Sequence, residues 1–225
     1  MAERYQVVIV GGGPVGVGLA LTLGLRGISC AVIERRKRGH IIPRGQNLTQ
    51  RTMEHFWSWG IADELRAARS MPQGYPIGGV TAYLSLMNEY WHAPAGREVV
   101  RAYYYQANER LPQYSLEAVQ RRRLATVPGV VNLEGWAATK VEQDAQGVRV
   151  TIREEGGSAE KTLEGDYVVG CDGAHSMVRE AAGIVRGGSD FDQKMLLAVF
   201  RSKDLHEGLK RFPERSTYRV MDPAL

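Results

Sequence analysis

The sequence contains little cysteine, with only Cys30 and Cys171 among 225 residues. Neither belongs to a CxxC pair, and two cysteines are too few for the disulfide framework of a small secreted protein. We therefore expect no structural metal site and a cytoplasmic protein with reduced thiols. Cys30 stands in an apolar run, where it is expected to behave as a small buried hydrophobic residue.

Long hydrophobic runs are also missing from the sequence. The apolar run at residues 7–10 meets glycine at once, whereas a membrane-spanning helix needs about 18 or more apolar residues in succession. The sequence shows no signal-peptide pattern, no internal repeat and no low-complexity segment. We expect no membrane partner, and a hydrophobic content of 44% permits an ordinary globular core.

The excess of positive charge is small. The sequence has 29 Lys and Arg and 25 Asp and Glu, which gives a net charge of +4. Two basic runs, residues 35–38 (RRKR) and 121–123 (RRR), supply much of the excess. They lack interleaved aromatic residues, so we interpret them as solvated surface or as an attraction for cofactor phosphates. Arg35 is therefore a candidate cofactor-binding residue, and no nucleic-acid partner is expected.

The first 34 residues show a strand, a glycine turn, a helix and a second strand. Residues 5–10 (YQVVIV) and 28–34 (ISCAVIE) are β-branched apolar runs, typical of strands buried on both faces. Residues 11–16 (GGGPVG) interrupt the first run, and an apolar helical pattern follows at residues 15–26. Together these segments predict a βαβ unit.

Gly11, Gly13 and Gly16 have the spacing GxGxxG. Between a strand and a helix, the first glycine permits the tight turn, the second lets the backbone approach a pyrophosphate, and the third allows close packing. Pro14 suits the first helical turn, where its missing N–H costs nothing. The helix start at Pro14 and Val15 then favours a phosphate through its free N–H groups.

Glu34 ends the second strand, about 20 residues after the glycine turn. Its carboxylate can accept hydrogen bonds from ribose hydroxyls, and it would repel a 2′-phosphate. The segment therefore predicts a site for the ADP half of FAD or NAD rather than NADP. The alternative is an ordinary tight turn followed by a surface glutamate.

The rest of the chain alternates helical and extended patterns. Amphipathic spacing predicts helices at residues 49–60, 61–69, 115–124 and 176–182. β-branched and aromatic residues predict strands at residues 80–87 and 98–105. Alternating stretches separated by glycine turns predict a β-meander over residues 130–170, and a new extended stretch begins at Phe191.

Three further segments resemble class A flavoprotein monooxygenases, the aromatic hydroxylases similar to para-hydroxybenzoate hydroxylase. Residues 43–54 (PRGQNLTQRTME) are similar to the family stretch that follows the second strand. In the family an arginine and adjacent backbone of this stretch approach the FAD pyrophosphate and ribityl chain, which implies this role for Arg44 and Gln46. An ordinary surface arginine is the alternative for Arg44.

The second and third segments resemble the family at the flavin side of FAD. Gln113, followed by Leu116 and Glu117, resembles the glutamine that starts a helix and contacts the flavin half. Asp172 and Gly173 resemble the family's DG motif, which is tied to FAD and NAD(P)H handling. The alternatives are a simple helix start at Gln113 and a common turn pair at Asp172–Gly173.

The resemblance implies an α/β fold: a Rossmann-like FAD-binding domain carrying a β-meander, plus the start of a β-sheet substrate domain. We place the FAD-binding domain at residues 1–75 and 105–188, and the partial substrate domain at residues 76–104 and 189–225. The family's chemistry implies that NAD(P)H, a transient co-substrate, reduces FAD. O2 then forms a flavin hydroperoxide that hydroxylates an aromatic, phenolic or polyketide-like substrate.

One departure from the family concerns the far end of the sequence. The family's later Gly-Asp motif is not found before Leu225, so we expect an N-terminal portion of a longer protein. No catalytic residue is assigned, because a lone histidine in a turn, such as His175, is more often structural or exposed. Two alternatives stay open: another FAD-dependent oxidoreductase, such as a reductase or halogenase, and a truncated non-catalytic FAD-binding module.

Overall fold

A computed structural model describes residues 3–37, 39, 42, 45–72, 75–188 and 196–222 of the chain. In chain order, its elements are β1 (Glu3–Val10), α1 (Pro14–Gly24), β2 (Cys30–Glu34), β3 (Asn47–Leu48), α2 (Gln50–Ser58), α3 (Ala62–Ala67), β4 (Gly79–Tyr83), β5 (Trp91–His92), a 3₁₀ helix (Arg97–Tyr103), β6 (Glu109–Arg110), α4 (Gln113–Leu124), β7 (Val130–Glu134), β8 (Trp136–Asp144), β9 (Gly147–Glu154), β10 (Glu160–Gly170), α5 (Met177–Ala181), α6 (Asp204–Leu209) and β11 (Thr217–Met221). Within these described residues, no helix combines the length and apolar character that a membrane span requires.

The chain divides into two compact units. The first comprises Met1–Arg44 and Gln113–Gln193, and the second comprises Gly45–Pro112 and Lys194–Leu225. The domain boundaries expected from the sequence, by contrast, placed residues 45–75 and 105–112 with the FAD-binding part. The pairing of β3 with β6 joins these two stretches to each other inside the second unit.

The first unit is built on a six-stranded sheet in the order β7-β2-β1-β10-β9-β8. Strands β7, β2, β1 and β10 run parallel to one another. Parallel strands are covered on both faces, which explains why Val8, Ile9 and Val32 are completely buried. The predicted α/β fold with a Rossmann-like βαβ unit is confirmed.

The sequence predicts a β-meander over residues 130–170, but only three of the four strands in this range form one. β8, β9 and β10 form an antiparallel meander. β7, the first predicted meander strand, instead pairs parallel to β2 at the opposite edge of the sheet, with Cys30 opposite Val130. The prediction is wrong for this strand because sequence alternation indicates an extended segment without specifying its partner.

One hydrophobic cluster joins the parallel strands to the meander. Its buried members are Val8, Val10, Ala31, Ile33, Val150, Ile152, Leu163 and Val178. Cys30 is also buried, as the sequence predicts, and its burial raises the thiol pKa to about 11. The core therefore holds the carboxyl ends of β1, β2 and β10 together at one end of the sheet.

The second unit contains a three-stranded sheet, β11-β4-β5, and the two-stranded sheet β3-β6. β11 runs parallel to β4, and β5 runs antiparallel to it. Phe212 packs under the larger sheet, with ring centroids 5.3 Å from Trp91 and 5.7 Å from Tyr218. Aromatic packing therefore contributes to the core of this unit.

Two strands predicted in the second unit differ from the structure. The strand predicted at residues 80–87 ends at Tyr83, because Leu84 adopts a φ of 65° and turns the chain. The strand predicted at residues 98–105 is wrong, since Arg97–Tyr103 is a 3₁₀ helix. β-branched and aromatic residues favour a strand only where a partner strand is available, and none of the described strands pairs with this segment.

The extended stretch expected from Phe191 falls partly outside the described residues. Its described end is helical, since α6 starts at Asp204. In the second unit, the exposed side chains of Trp57 and Tyr105 pack against each other. Their ring centroids lie 5.0 Å apart, and the Tyr105 N–H donates to the Glu54 carboxylate at 3.0 Å.

Candidate cofactor-binding site

A cleft of about 790 Å³ opens in the first unit where β1, β2 and β10 end. Ligands of open α/β sheets bind outside the carboxyl ends of the parallel strands, and this cleft occupies that position. It is lined by Val10, Gly11, Gly13, Pro14, Ile33, Glu34, Arg35, Arg36, Gly39, Gln113, Glu117, Arg121, Trp136, Ala137, Ala138, Cys171, Asp172, Gly173, Ala174, His175 and Met177.

The three glycines of the GxGxxG spacing have three different environments. Gly11 has a φ of +107°, and a Cβ added there would lie 2.3 Å from the Cys171 carbonyl oxygen. A Cβ at Gly16 would lie 1.9 Å from the Gly11 carbonyl oxygen. At Gly13, by contrast, an added Cβ would meet no atom within 4 Å. Gly11 and Gly16 are thus required by the fold, whereas Gly13 faces open space.

Gly12, which the spacing treats as a variable position, is also constrained. Its N–H donates to Glu34 Oε2 at 2.9 Å, and an added Cβ would lie 2.5 Å from Glu34 Cβ. The other Glu34 oxygen accepts from the Arg36 N–H at 2.9 Å. Each carboxylate oxygen can accept a second hydrogen bond, so Glu34 can hold the loop and still bind a ribose hydroxyl.

Helix α4 presents a line of polar side chains to the cleft. Gln113 Nε2 donates to Glu117 Oε1 at 2.7 Å, and Arg121 Nη1 donates to Glu117 Oε2 at 3.0 Å. Arg121 also contacts Glu134 Oε1 through Nε at 3.0 Å and donates from Nη2 to the Gly12 carbonyl at 3.2 Å. The sequence presented Arg121 only as part of a basic run and Glu117 only as part of the Gln113 motif. Their i,i+4 spacing places both on one helix face with Gln113.

The DG pair lies at the turn between β10 and α5. Asp172 accepts from Ser176 Oγ at 2.5 Å, from the Met177 N–H at 2.8 Å and from the Val178 N–H at 3.4 Å. These bonds satisfy backbone donors at the start of α5. Gly173 has a φ of +84°, which favours glycine, and it lines the cleft. Asp172 thus shapes the turn that carries Gly173 into the cleft.

Cys171 and His175 flank this turn, and both line the cleft. Burial, and secondarily the negative charge of Asp172, raises the pKa of the Cys171 thiol. Thiolate chemistry is therefore disfavoured at Cys171. His175 is exposed, as expected for a histidine without an assigned catalytic role.

The remaining predicted site residues are placed differently from one another. Arg35 is exposed and lines the cleft. Val15 stands in the first turn of α1 with 73% of its surface exposed and lies outside the cleft lining. Gln46 belongs to the second unit, where its carbonyl accepts from the Leu111 N–H at 3.0 Å. Arg44 lies outside the described residues.

The donor set fits a dinucleotide such as FAD. α1 begins at Pro14, its N-cap is Gly13, and its first turn contains no acidic residue. The N–H groups at this helix start therefore suit an anion. Gly13 leaves space in which the backbone can approach a pyrophosphate, and the Glu34 carboxylate suits a ribose. Gln113 and the Asp172–Gly173 turn supply polar groups along the same cleft.

Comparison with known proteins decides which dinucleotide-binding family this is. The profile of the family described as FAD binding domain matches residues 4–221. The chain belongs to this family. The resemblance to class A flavoprotein monooxygenases is thereby confirmed, since the relatives include hydroxylases and FAD-dependent monooxygenases.

Two curated relatives illustrate the range of this FAD-binding-domain family. The chain is 31% identical over 225 residues to a probable NADH-specific resorcinol 4-hydroxylase from Rhodococcus jostii, covering 99% of this chain and 40% of that protein. It is 34% identical over 189 residues to a dialkyldecalin synthase from Streptomyces rugosporus, covering 83% and 36%. The chain thus spans well under half the length of these relatives.

A solved structure extends the similarity to three dimensions. The flavin-dependent monooxygenase PieE, in complex with FAD and substrate, superposes with a TM-score of 0.73 at 28% identity. The match covers 83% of this chain and 33% of PieE. The family match, the strand order of the sheet and the position of the cleft therefore all indicate an FAD-binding domain.

Proposed function

We propose that this chain is the FAD-binding portion of an NAD(P)H-dependent flavoprotein monooxygenase that hydroxylates an aromatic, phenolic or polyketide-like substrate. The observation that carries the proposal is the convergence of three elements in one cleft: the glycine loop, Glu34 and the Asp172–Gly173 turn. The hydroxylases among its relatives support the choice of reaction.

Each element has a defined role in this proposal. The Gly13 backbone and the start of α1 bind the pyrophosphate, while Glu34 accepts hydrogen bonds from the adenosine ribose. Gln113 and Gly173, which line the same cleft, would contact the flavin half. When bound, FAD supplies the redox chemistry that links NAD(P)H oxidation to the activation of O2. The protein supplies binding, orientation and exclusion of water.

The proposal extends to the co-substrate and the location. NAD(P)H would act as a transient co-substrate, and the NADH-specific name of the resorcinol 4-hydroxylase supports a nicotinamide donor for this family. Cytoplasmic location is supported by the two cysteines, since Cys30 and Cys171 are both free thiols. The small-molecule substrate and O2 are the only partners proposed.

NAD(P)H oxidation in the presence of FAD tests the proposed reaction. We expect oxidation of NADH or NADPH by the FAD-loaded intact protein, of which this chain is the FAD-binding portion, to accelerate when a phenol is added, with the hydroxylated phenol as the product. The control omits the phenol, and mass spectrometry identifies the product. Absence of any phenol-dependent oxidation would contradict the monooxygenase proposal.

The same assay separates the alternative functions. Oxidation of NAD(P)H that reduces an added acceptor without oxygen incorporation would identify a reductase. A chlorinated product formed only with chloride would identify a halogenase. FAD binding with no oxidation of either nicotinamide would identify a non-catalytic FAD-binding module.

A further inference from the structure

Gly12 is held through both of its peptide groups, by its N–H on the Gly11 side and by its carbonyl on the Gly13 side. The Gly12 N–H donates to Glu34 Oε2 at 2.9 Å, and the Gly12 carbonyl accepts from Arg121 Nη2 at 3.2 Å. Arg121 comes from α4, 109 residues away in sequence. The Arg121 side chain is only 22% exposed, and Glu117 and Glu134 fix its other nitrogen atoms.

The direction of the Gly12 carbonyl determines where the Gly13 N–H points. A trans peptide is planar, so its C=O and the following N–H point in opposite directions, and no described peptide of this chain is cis. Glycine peptides rotate more freely than others because they lack Cβ atoms. A hydrogen bond to the Gly12 carbonyl therefore selects one orientation of the Gly13 N–H.

We propose that Arg121 is a positioning residue for cofactor binding. It orients the Gly12–Gly13 peptide and connects this loop, through Glu117, to Gln113 at the other part of the cleft. This inference rests on the proposed binding of FAD. Arg121 thus promotes cofactor binding by orienting the loop and not by contacting the phosphates.

The charges around Arg121 argue against a simple electrostatic attraction for phosphate. One guanidinium contacts two carboxylates, those of Glu117 and Glu134. The cluster is therefore not a net positive site, and its own carboxylates already oppose the Arg121 charge. The planar fork of arginine, with its fixed donor directions, is what allows one side chain to hold three acceptors.

Substitution of Arg121 tests the positioning role by FAD and ADP titration. Arg121→Gln and Arg121→Lys are both expected to weaken FAD binding by about tenfold, the effect of losing one charge-assisted hydrogen bond. ADP, which contains only the part near the loop, is expected to lose affinity by a similar factor. Arg122→Gln is the matched control, because Arg122 is exposed on the same helix and outside the cleft lining.

The variants Arg121→Lys and Glu134→Ala distinguish a positioning role of Arg121 from a direct electrostatic attraction for the cofactor phosphates. Lysine keeps the charge without the fork, so full recovery of affinity in Arg121→Lys would overturn the proposal. Glu134→Ala removes one anchor of Arg121, and positioning predicts weaker FAD binding. A purely electrostatic role predicts tighter binding, because a carboxylate has been removed, and this result would also overturn the proposal.

The loop itself provides a readout that needs no ligand. In the ligand-free protein, the amide NMR signals of Gly12 and Gly13 are expected to shift in Arg121→Gln and Arg121→Lys, and to stay in place in Arg122→Gln. Unchanged signals in both Arg121 variants would overturn the proposal even if those variants were less stable. Failure of the unaltered protein to bind FAD would instead overturn the proposed function on which the inference rests.

Discussion

Replacement of Gly13 by alanine is expected to reduce FAD affinity by about a hundredfold or more while leaving the fold unchanged. Gly13 has a φ of −74° and a ψ of −176°, which alanine adopts without strain. A Cβ at this position would meet no atom of the protein within 4 Å. The methyl group would instead occupy the space in which the backbone must approach the pyrophosphate.

Two measurements are needed for Gly13→Ala: FAD titration by flavin fluorescence and thermal unfolding without ligand. Gly187→Ala is a matched control, since it also places a methyl group where no atom lies within 4 Å, and it lies outside the cleft lining. The control is expected to bind FAD like the unaltered protein. Undiminished FAD affinity in Gly13→Ala would show that the cofactor does not approach the loop at this residue.

Replacement of Gly16 by alanine is expected to act on stability rather than on binding alone. The added Cβ would lie 1.9 Å from the Gly11 carbonyl oxygen and 3.3 Å from Cys171 Cβ. Relief of this overlap requires α1 to move away from the end of β1, at a cost of about 3 kcal/mol. For a chain of this size, the midpoint of thermal unfolding should fall by roughly 6–12 °C.

Circular dichroism of the ligand-free protein measures this loss directly. Gly13→Ala serves as the comparison, because it adds the same methyl group three residues away without an overlap in the protein. An unchanged melting temperature for Gly16→Ala would contradict the close packing of α1 on the glycine loop. Loss of FAD affinity without loss of stability in Gly13→Ala, together with loss of stability in Gly16→Ala, would show that Gly13 serves binding and Gly16 serves packing.

The βαβ unit was predictable from sequence because its signals are local. Two apolar runs, the glycine turn and the following helix lie within the first 34 residues, and β1, α1 and β2 form close to the predicted bounds. β1 and β2 are joined through one short crossover, so their parallel pairing follows from the connection itself. Glu34 is accordingly placed at the cleft, as its position at the strand end implies.

Pairings between distant segments were not predictable in the same way. β7 reads as a meander strand in sequence, yet it completes the parallel edge beside β2. The segment at residues 98–105 has strand-like composition, yet it forms a 3₁₀ helix. In both cases composition indicates local preference, whereas the partner is determined by tertiary packing.

The hydrogen bonds of the site could not be predicted from the sequence either. The bond between Arg121 and Gly12 joins residues 109 positions apart, and the sequence presents Arg121 only as part of a basic run. Glu117 belongs to a motif that resembles the family, but its bonds to Gln113 and Arg121 emerge only from the helix geometry. The sequence identified the cleft's strand ends, and the structure was needed to identify what holds the loop between them.

Competition between FAD, ADP and FMN for the ligand-free protein most directly tests the central claim that the first unit binds FAD through its ADP half. Equilibrium dialysis with chromatographic separation of the nucleotides reports bound FAD, and ADP and FMN, which each contain part of FAD, serve as competitors. We predict saturable FAD binding that ADP displaces and that FMN, which lacks the adenosine half, displaces far less effectively. Failure to bind FAD, or displacement by FMN as effective as by ADP, would contradict the account.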